Sequence, residues 1–111
     1  MKQYVPEKCD FIAANFDPQS GHEQWGRRPA LVVSNTLFNQ RTGLAIVCPL
    51  TSTDREFPFH VPVVAEPSVT GFVMVEQVKS IDFRTRKVTR IGKASESVLE
   101  EVLALLDACI Y

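Results

Sequence analysis

The apolar residues of this 111-residue chain change their spacing once, and that change decides the broad architecture. Up to about residue 92 they come in short runs separated by turn-forming and polar residues. From Val98 onward they recur at three- and four-residue steps: Val98, Leu99, Val102, Leu103, Leu105, Leu106, Cys109 and Ile110. Short runs are the mark of strands, and the longer period is that of an amphipathic helix. The chain therefore reads as a set of short strands closed by one terminal helix. Residues 9–16, 29–34, 44–48, 59–64, 71–75 and 87–92 are the strand candidates. Between them lie polar loops at 17–27 and 51–57, and a polar connection at 35–43 with room for a helical turn. Ser97-Val98-Leu99-Glu100 offers a capping box, with Ser95 as the rival N-cap. Five or six short strands and one helix predict a mostly β fold, a small and strongly curved sheet or barrel with the helix against its edge or face. The length suits a single domain over residues 1–111, at about 100–200 residues per domain.

Several classes of function are set aside by what the sequence lacks. No apolar run approaches the roughly 18–20 residues of a membrane span. The first seven residues have no secretory signal character, so the expectation is a cytoplasmic protein. Three cysteines, Cys9, Cys48 and Cys109, are too few and too scattered for a disulfide framework or a zinc site. Their apolar neighbours predict buried small hydrophobes. Two histidines and no clustered His/Cys/carboxylate set predict no metal site and no cofactor. A phosphate-binding GxxxxGK[ST] loop is absent.

Net charge is −1, which by itself does not announce nucleic-acid binding. The distribution says more. Glu96, Glu100, Glu101 and Asp107 fall in residues 95–111, which hold no Lys or Arg, leaving 12 basic against nine acidic side chains elsewhere. A modestly basic body of that kind can bind phosphate locally.

Two polar loops adjoin core strands and carry groups suited to phosphate. The first is Gly21-His22-Glu23-Gln24-Trp25-Gly26-Arg27-Arg28-Pro29. Arg28 stands where the loop meets a strand, and its planar guanidinium can grip a phosphate through two N–H groups. The alternative is a solvated arginine paired with Glu23. The second loop starts Pro49-Leu50-Thr51-Ser52-Thr53-Asp54. Its hydroxyls can hydrogen-bond a phosphate oxygen, or simply satisfy a turn. Trp25 can stack on an unpaired base or anchor its loop. His22 is an acid–base candidate or incidental, and His60, between Phe59 and Val61, is expected to face outward. Lys79, Arg84, Arg86, Lys87 and Arg90, with Phe83 among them, form the densest basic stretch. That pattern suits single-stranded nucleic acid, against the reading of a solvated turn.

These residues resemble the MazF/PemK (Kid) toxins of bacterial toxin–antitoxin pairs. The likeness runs through Asp10-Phe11-Ile12, Phe16-Asp17-Pro18, Gly21-His22-Glu23-Gln24 and Gly26-Arg27-Arg28-Pro29-Ala30-Leu31-Val32-Val33-Ser34. It continues through Asn39, Thr42-Gly43, Cys48-Pro49-Leu50-Thr51-Ser52, Pro58-Phe59 and Glu76-Gln77-Val78-Lys79-Ser80-Ile81. The resemblance implies an SH3-like barrel with a C-terminal helix and a two-fold homodimer. It also implies metal-free, sequence-specific cleavage of single-stranded RNA, chiefly mRNA, that inhibits translation. In the family's proposed mechanism the ribose 2′-OH attacks the adjacent phosphorus, leaving a 2′,3′-cyclic phosphate and a 5′-OH. Carried onto this chain, the catalytic pair is Arg28 and Thr51. Arginine stays protonated, so Arg28 is cast as a clamp and proton donor, with Glu23 the weaker candidate for base. The RNA-binding set is His22, Gln24, Trp25, Arg27, Ser52, Gln77, Lys79, Arg84 and Arg86. Gln77 and Asn15 depart from relatives that carry acidic residues there. The expected antitoxin blocks the groove with a disordered acidic tail. Leu50, Phe57 and part of the C-terminal helix are candidates for the dimer surface. Two other readings share the fold: a gyrase-poisoning toxin of the CcdB type, and a non-catalytic SH3-like adaptor.

Overall fold

A computed structural model describes residues 3–16, 27–63 and 66–111. Its strands are β1 (Asp10–Asn15), β2 (Arg27–Val32), β3 (Leu44–Thr51), β4 (His60–Pro62), β5 (Phe72–Met74), β6 (Lys79–Asp82) and β7 (Thr89–Lys93). Two helices, α1 (Thr36–Thr42) and α2 (Glu96–Ile110), and a 3-10 turn at Val75–Gln77 complete the described elements. The strands make one antiparallel sheet in the order β4-β5-β3-β2-β1-β7, with β6 added on β3. Among the described residues this sheet curves without closing on itself.

The eight-residue β3 is the strand on which the sheet turns. One edge meets β2 at Val47–Pro49, while the other meets β6 over Leu44–Val47 and β5 at Leu50–Thr51. Pro49 has no N–H to give to a ladder. Ile46 directs its backbone N–H and C=O toward the β2 side, to Ser34 Oγ and the Val33 amide. Backbone groups alternate along a strand, so Pro49 faces the other edge, in the gap where β6 stops and β5 begins. A proline is tolerated there at no cost in pairing.

Both faces of the central strands are buried, which explains their near-continuous apolar runs. Phe11, Leu31, Cys48, Leu50 and Val73 face α2 and pack with Val98, Val102 and Leu106. Ile12, Ala14, Ala30, Val32, Ala45, Val47, Ile81 and Phe83 form a second core on the other face, flanked by Tyr4 and Val5. Ser95 caps α2, its Oγ accepting the Val98 N–H at 3.3 Å. Ser97, the alternative cap, already lies inside the helix.

Four expectations are corrected. Residues 79–82 form β6 rather than a solvated turn; Ile81 is the one buried side chain of the four, so no apolar run marked the strand. Cys9 and Cys48 are buried as expected, but Cys109 is exposed. It lies on the last turn of α2, beyond the buried Leu106. Leu50 is core rather than dimer surface, since it faces Val73 across β3 and β5. Residues 44–48 extend as strand to Thr51, which places a candidate catalytic hydroxyl at a strand end. Among the described residues no helix is long and apolar enough to cross a membrane.

Candidate active site

Register brings Arg28 and Thr51 together. Ala30 of β2 lies opposite Pro49 of β3. Two residues further toward the open end of that ribbon stand Arg28 and Thr51, and side chains two apart share a face. Both line an open depression of about 250 Å³, with Pro29, Leu50, Ser52 and Thr70 as its other walls. Arg28 is exposed and has no hydrogen-bond or ion-pair partner among the described residues. Thr51 is half-buried, and its Oγ1 accepts the Thr53 N–H at 3.2 Å. A hydroxyl that accepts in this way keeps its own proton to donate. The depression thus offers a forked cation and a hydroxyl proton on one wall, the pair a phosphate oxygen requires.

Gly71, beside the depression, is a residue that sequence reasoning passed over. It sits at φ 121°, and a Cβ there would stand 2.5 Å from the Thr51 carbonyl oxygen. β5 can therefore enter beside Thr51 only with a glycine at this point. A glycine at the edge of an apolar run was the available signal, since it marks close backbone approach.

The other cations have different surroundings. Arg27 donates from Nη1 to the Lys87 carbonyl and from Nη2 to Thr89 Oγ1, both at 2.8 Å. Arg86 Nη1 reaches the carbonyls of Asn15 and Phe16, each at 3.2 Å. Lys79 pairs opposite Val47, and its Nζ lies 5.3 Å from the centre of the Phe16 ring. Arg84 stacks at 5.1 Å over Phe83, and its guanidinium fills the space a side chain on Gly43 would need. Gly43 immediately precedes β3 and Thr51 ends it, about 26 Å away along an extended chain. Arg84 is therefore not part of the Arg28/Thr51 depression, whereas Ser52 is. Gln77 is exposed in the 3-10 turn. His22, Glu23, Gln24 and Trp25 lie outside the described residues.

Two polar side chains proved more enclosed than the sequence suggested. His60 was expected to face outward, but its side chain is only 5% exposed. Its Nε2 lies 3.0 Å from Glu76 Oε2, and the Phe57 ring meets it edge-on at 5.1 Å. Asp10 is buried at the start of β1. Its carboxylate accepts from the Tyr4 hydroxyl, from the Glu7 N–H at 3.0 Å and from Arg90 Nε at 3.2 Å. Burial, and then the hydrogen bond to Asp10, push the Tyr4 hydroxyl well above its ordinary range. Burial also pushes the Cys48 thiol up to about 12, which keeps it protonated and inert at neutral pH. Among the described residues no group of His, Cys, Asp and Glu could hold a metal ion.

Residues 7–110 match the family model described as PemK-like, MazF-like toxin of type II toxin-antitoxin system. The chain belongs to this family. It is 36% identical over 110 residues to the endoribonuclease toxin MazF of Escherichia coli K12, covering 99% of this chain and 98% of that protein. Against the endoribonuclease toxin ChpB of the same strain the identity is 43% over 109 residues, with 94% and 93% covered. The fold superposes on a crystal structure of MazE-MazF from Deinococcus radiodurans with a TM-score of 0.86, at 35% identity and 97% coverage of each chain. The protein is a MazF-like toxin endoribonuclease, mostly β with a C-terminal helix. Of the three readings open at the sequence level, the nuclease is the one these relatives share.

Proposed function

We propose that this toxin endoribonuclease cuts single-stranded RNA, chiefly mRNA, at a short sequence motif and without a metal, and so stops translation. The observation that carries the reading is that Arg28, without a partner among the described residues, lines one open depression with Thr51. The nucleophile is the substrate's own ribose 2′-OH, which restricts the enzyme to RNA. Its oxygen forms a bond to the adjacent phosphorus while the bond from phosphorus to the 5′ oxygen breaks. The 2′-OH proton passes to a base, for which we assign Glu23, the one carboxylate of the Gly21–Pro29 signature. Arg28 holds the non-bridging oxygens as negative charge builds, and supplies the proton taken by the leaving 5′ oxygen. Thr51 donates to the same phosphate. The products are a 2′,3′-cyclic phosphate and a 5′-OH; the proton gained by Glu23 then returns to Arg28, and no water is consumed.

His22, Gln24, Trp25, Ser52, Gln77 and Lys79 are proposed to contact the RNA. A homodimer in the cytoplasm, held by an antitoxin whose acidic disordered tail covers this depression, completes the reading. The MazE-MazF complex of Deinococcus radiodurans supports such a partner. The test incubates purified protein with a long single-stranded RNA in EDTA, beside Arg28→Ala, and maps the new 5′ ends. Cuts at a recurring motif that carry 5′-OH ends and vanish in the variant are the expected result. Intact RNA from folded, antitoxin-free protein overturns it.

A further inference from the structure

β2 opens with two consecutive arginines, and strand geometry sends their side chains to opposite faces. Arg28 goes to the depression. Arg27 goes the other way and reaches the segment leading into β7, bonding to the Lys87 carbonyl and Thr89 Oγ1 at 2.8 Å each. Lys87 stands at a left-handed φ of 51° in the β6–β7 turn, and its carbonyl is the one captured.

Among the described residues, the stretch of β2 that carries Arg28 pairs with one strand alone. The β2–β3 ladder stops at Ala30↔Pro49, so Arg27 and Arg28 pair only with Asn15 and Ala14 of β1. The β1–β7 ladder itself ends at Ala13↔Thr89. Beyond it, among the described residues, Arg86 holds the end of β1, its carbonyl accepting the Asn15 N–H at 3.0 Å and its Nη1 reaching the Asn15 and Phe16 carbonyls, while β2 itself has the Arg27 contacts. An overhanging two-stranded ribbon is at best marginally stable in water. Arg27 spans it from β2 across β1 to the third strand. The span needs two divergent donors on one rigid plane, which guanidinium has and ammonium lacks.

We propose that Arg27 is a positioning residue for Arg28, bracing the ribbon from behind so that the Arg28 guanidinium stays against Thr51. The inference rests on the reading of Arg28 as the phosphate clamp. It separates two roles that neighbouring cations in an RNA-binding loop would otherwise share. A brace sets the rate of the chemical step, because small misplacement of a catalytic group is costly. A phosphate contact sets affinity and its salt dependence.

Arg27→Ala, Arg27→Lys and Thr89→Val are compared with the wild type on an RNA containing a mapped cleavage site. Affinity is measured on the same RNA with 2′-O-methyl riboses, which has no nucleophile, at several salt concentrations. Both Arg27 variants are expected to lose roughly tenfold in kcat, with Kd and salt slope unchanged. Thr89→Val, which leaves every charge in place, is expected to lose roughly threefold by removing one of the two acceptors. Thermal melts of each variant ensure that folded protein is compared, and Thr89→Val carries the test should Arg27→Ala unfold. A wild-type kcat in Arg27→Lys overturns the brace. So does a raised Kd with a salt slope reduced by about one and unchanged saturating rate, which would make Arg27 an RNA contact. No cleavage by the wild type would instead overturn the function on which the brace depends.

Discussion

The β1–β2 ribbon has one closed end and one open end. At the closed end Asp10 is buried, and its carboxylate is answered by Tyr4, Glu7 and Arg90. At the open end Arg28 projects into solvent with no described partner, and Thr51 keeps an unspent proton. Both ends place a charge on the same ribbon. The closed end spends its hydrogen-bonding capacity on the fold, and the open end leaves its capacity for a ligand. A buried carboxylate must be satisfied within the protein because exposing it to an apolar interior is expensive. An exposed guanidinium pays no such penalty and can wait for phosphate.

Substitutions at the two ends should therefore separate activity from stability. Arg28→Ala is expected to lower kcat/KM by at least about a hundredfold, comparable to removing an oxyanion donor, while the melting temperature stays near that of the wild type. Asp10→Ala is expected to do the reverse: a stability loss of about 3 kcal/mol in urea unfolding, from a charged acceptor with several donors, and a near-normal rate per folded molecule. A large fall in the rate of folded Asp10→Ala would show that the two ends are not independent. Gly71→Ala sharpens the comparison, since it strains backbone directly beside Thr51. It is expected to cost about 2 kcal/mol and several-fold in kcat together, a coupling that neither end shows alone.

The smallest effect lies in alkaline titration of the closed end. The ordinary value for Tyr4 is 10.0, and burial with the Asp10 bond raises it in the folded state. Below pH 10 both folded and unfolded chains keep the proton, so the stabilisation is complete. Above it the unfolded chain ionises first, and stability declines as pH rises toward the folded value. Tyr4→Phe is expected to cost about 1.5 kcal/mol at neutral pH and to flatten that alkaline decline, read by unfolding curves between pH 8 and roughly 11.

The same contrast explains what was legible in the sequence. Apolar patterning announced β1, β2, β3 and α2, because each buries a periodic or continuous set of side chains. It missed β6, where Lys79, Ser80 and Asp82 surround the single buried Ile81. Arg28 and Thr51 were legible as residue types at loop–strand junctions, and the family signature pointed to the same pair. Their register across β2 and β3 was not, since pairing between strands is set by the whole sheet. The Arg27 and Arg86 contacts were hidden for another reason. Their acceptors are mostly backbone carbonyls, some 60 to 71 residues away in the chain, and a carbonyl has no signature in a sequence. His60 looked exposed because its coverage comes from Glu76 and Phe57, neither of them its strand neighbour.

The packing of α2 also orders events in time. Val98, Val102 and Leu106 cover the face of the sheet formed by Phe11, Leu31, Cys48 and Leu50, yet they follow all seven described strands. Until residues 98–106 have been made, that apolar face of β2 and β3 has no cover from α2. The endoribonuclease therefore stays incompletely assembled until the helix that covers this face has been made.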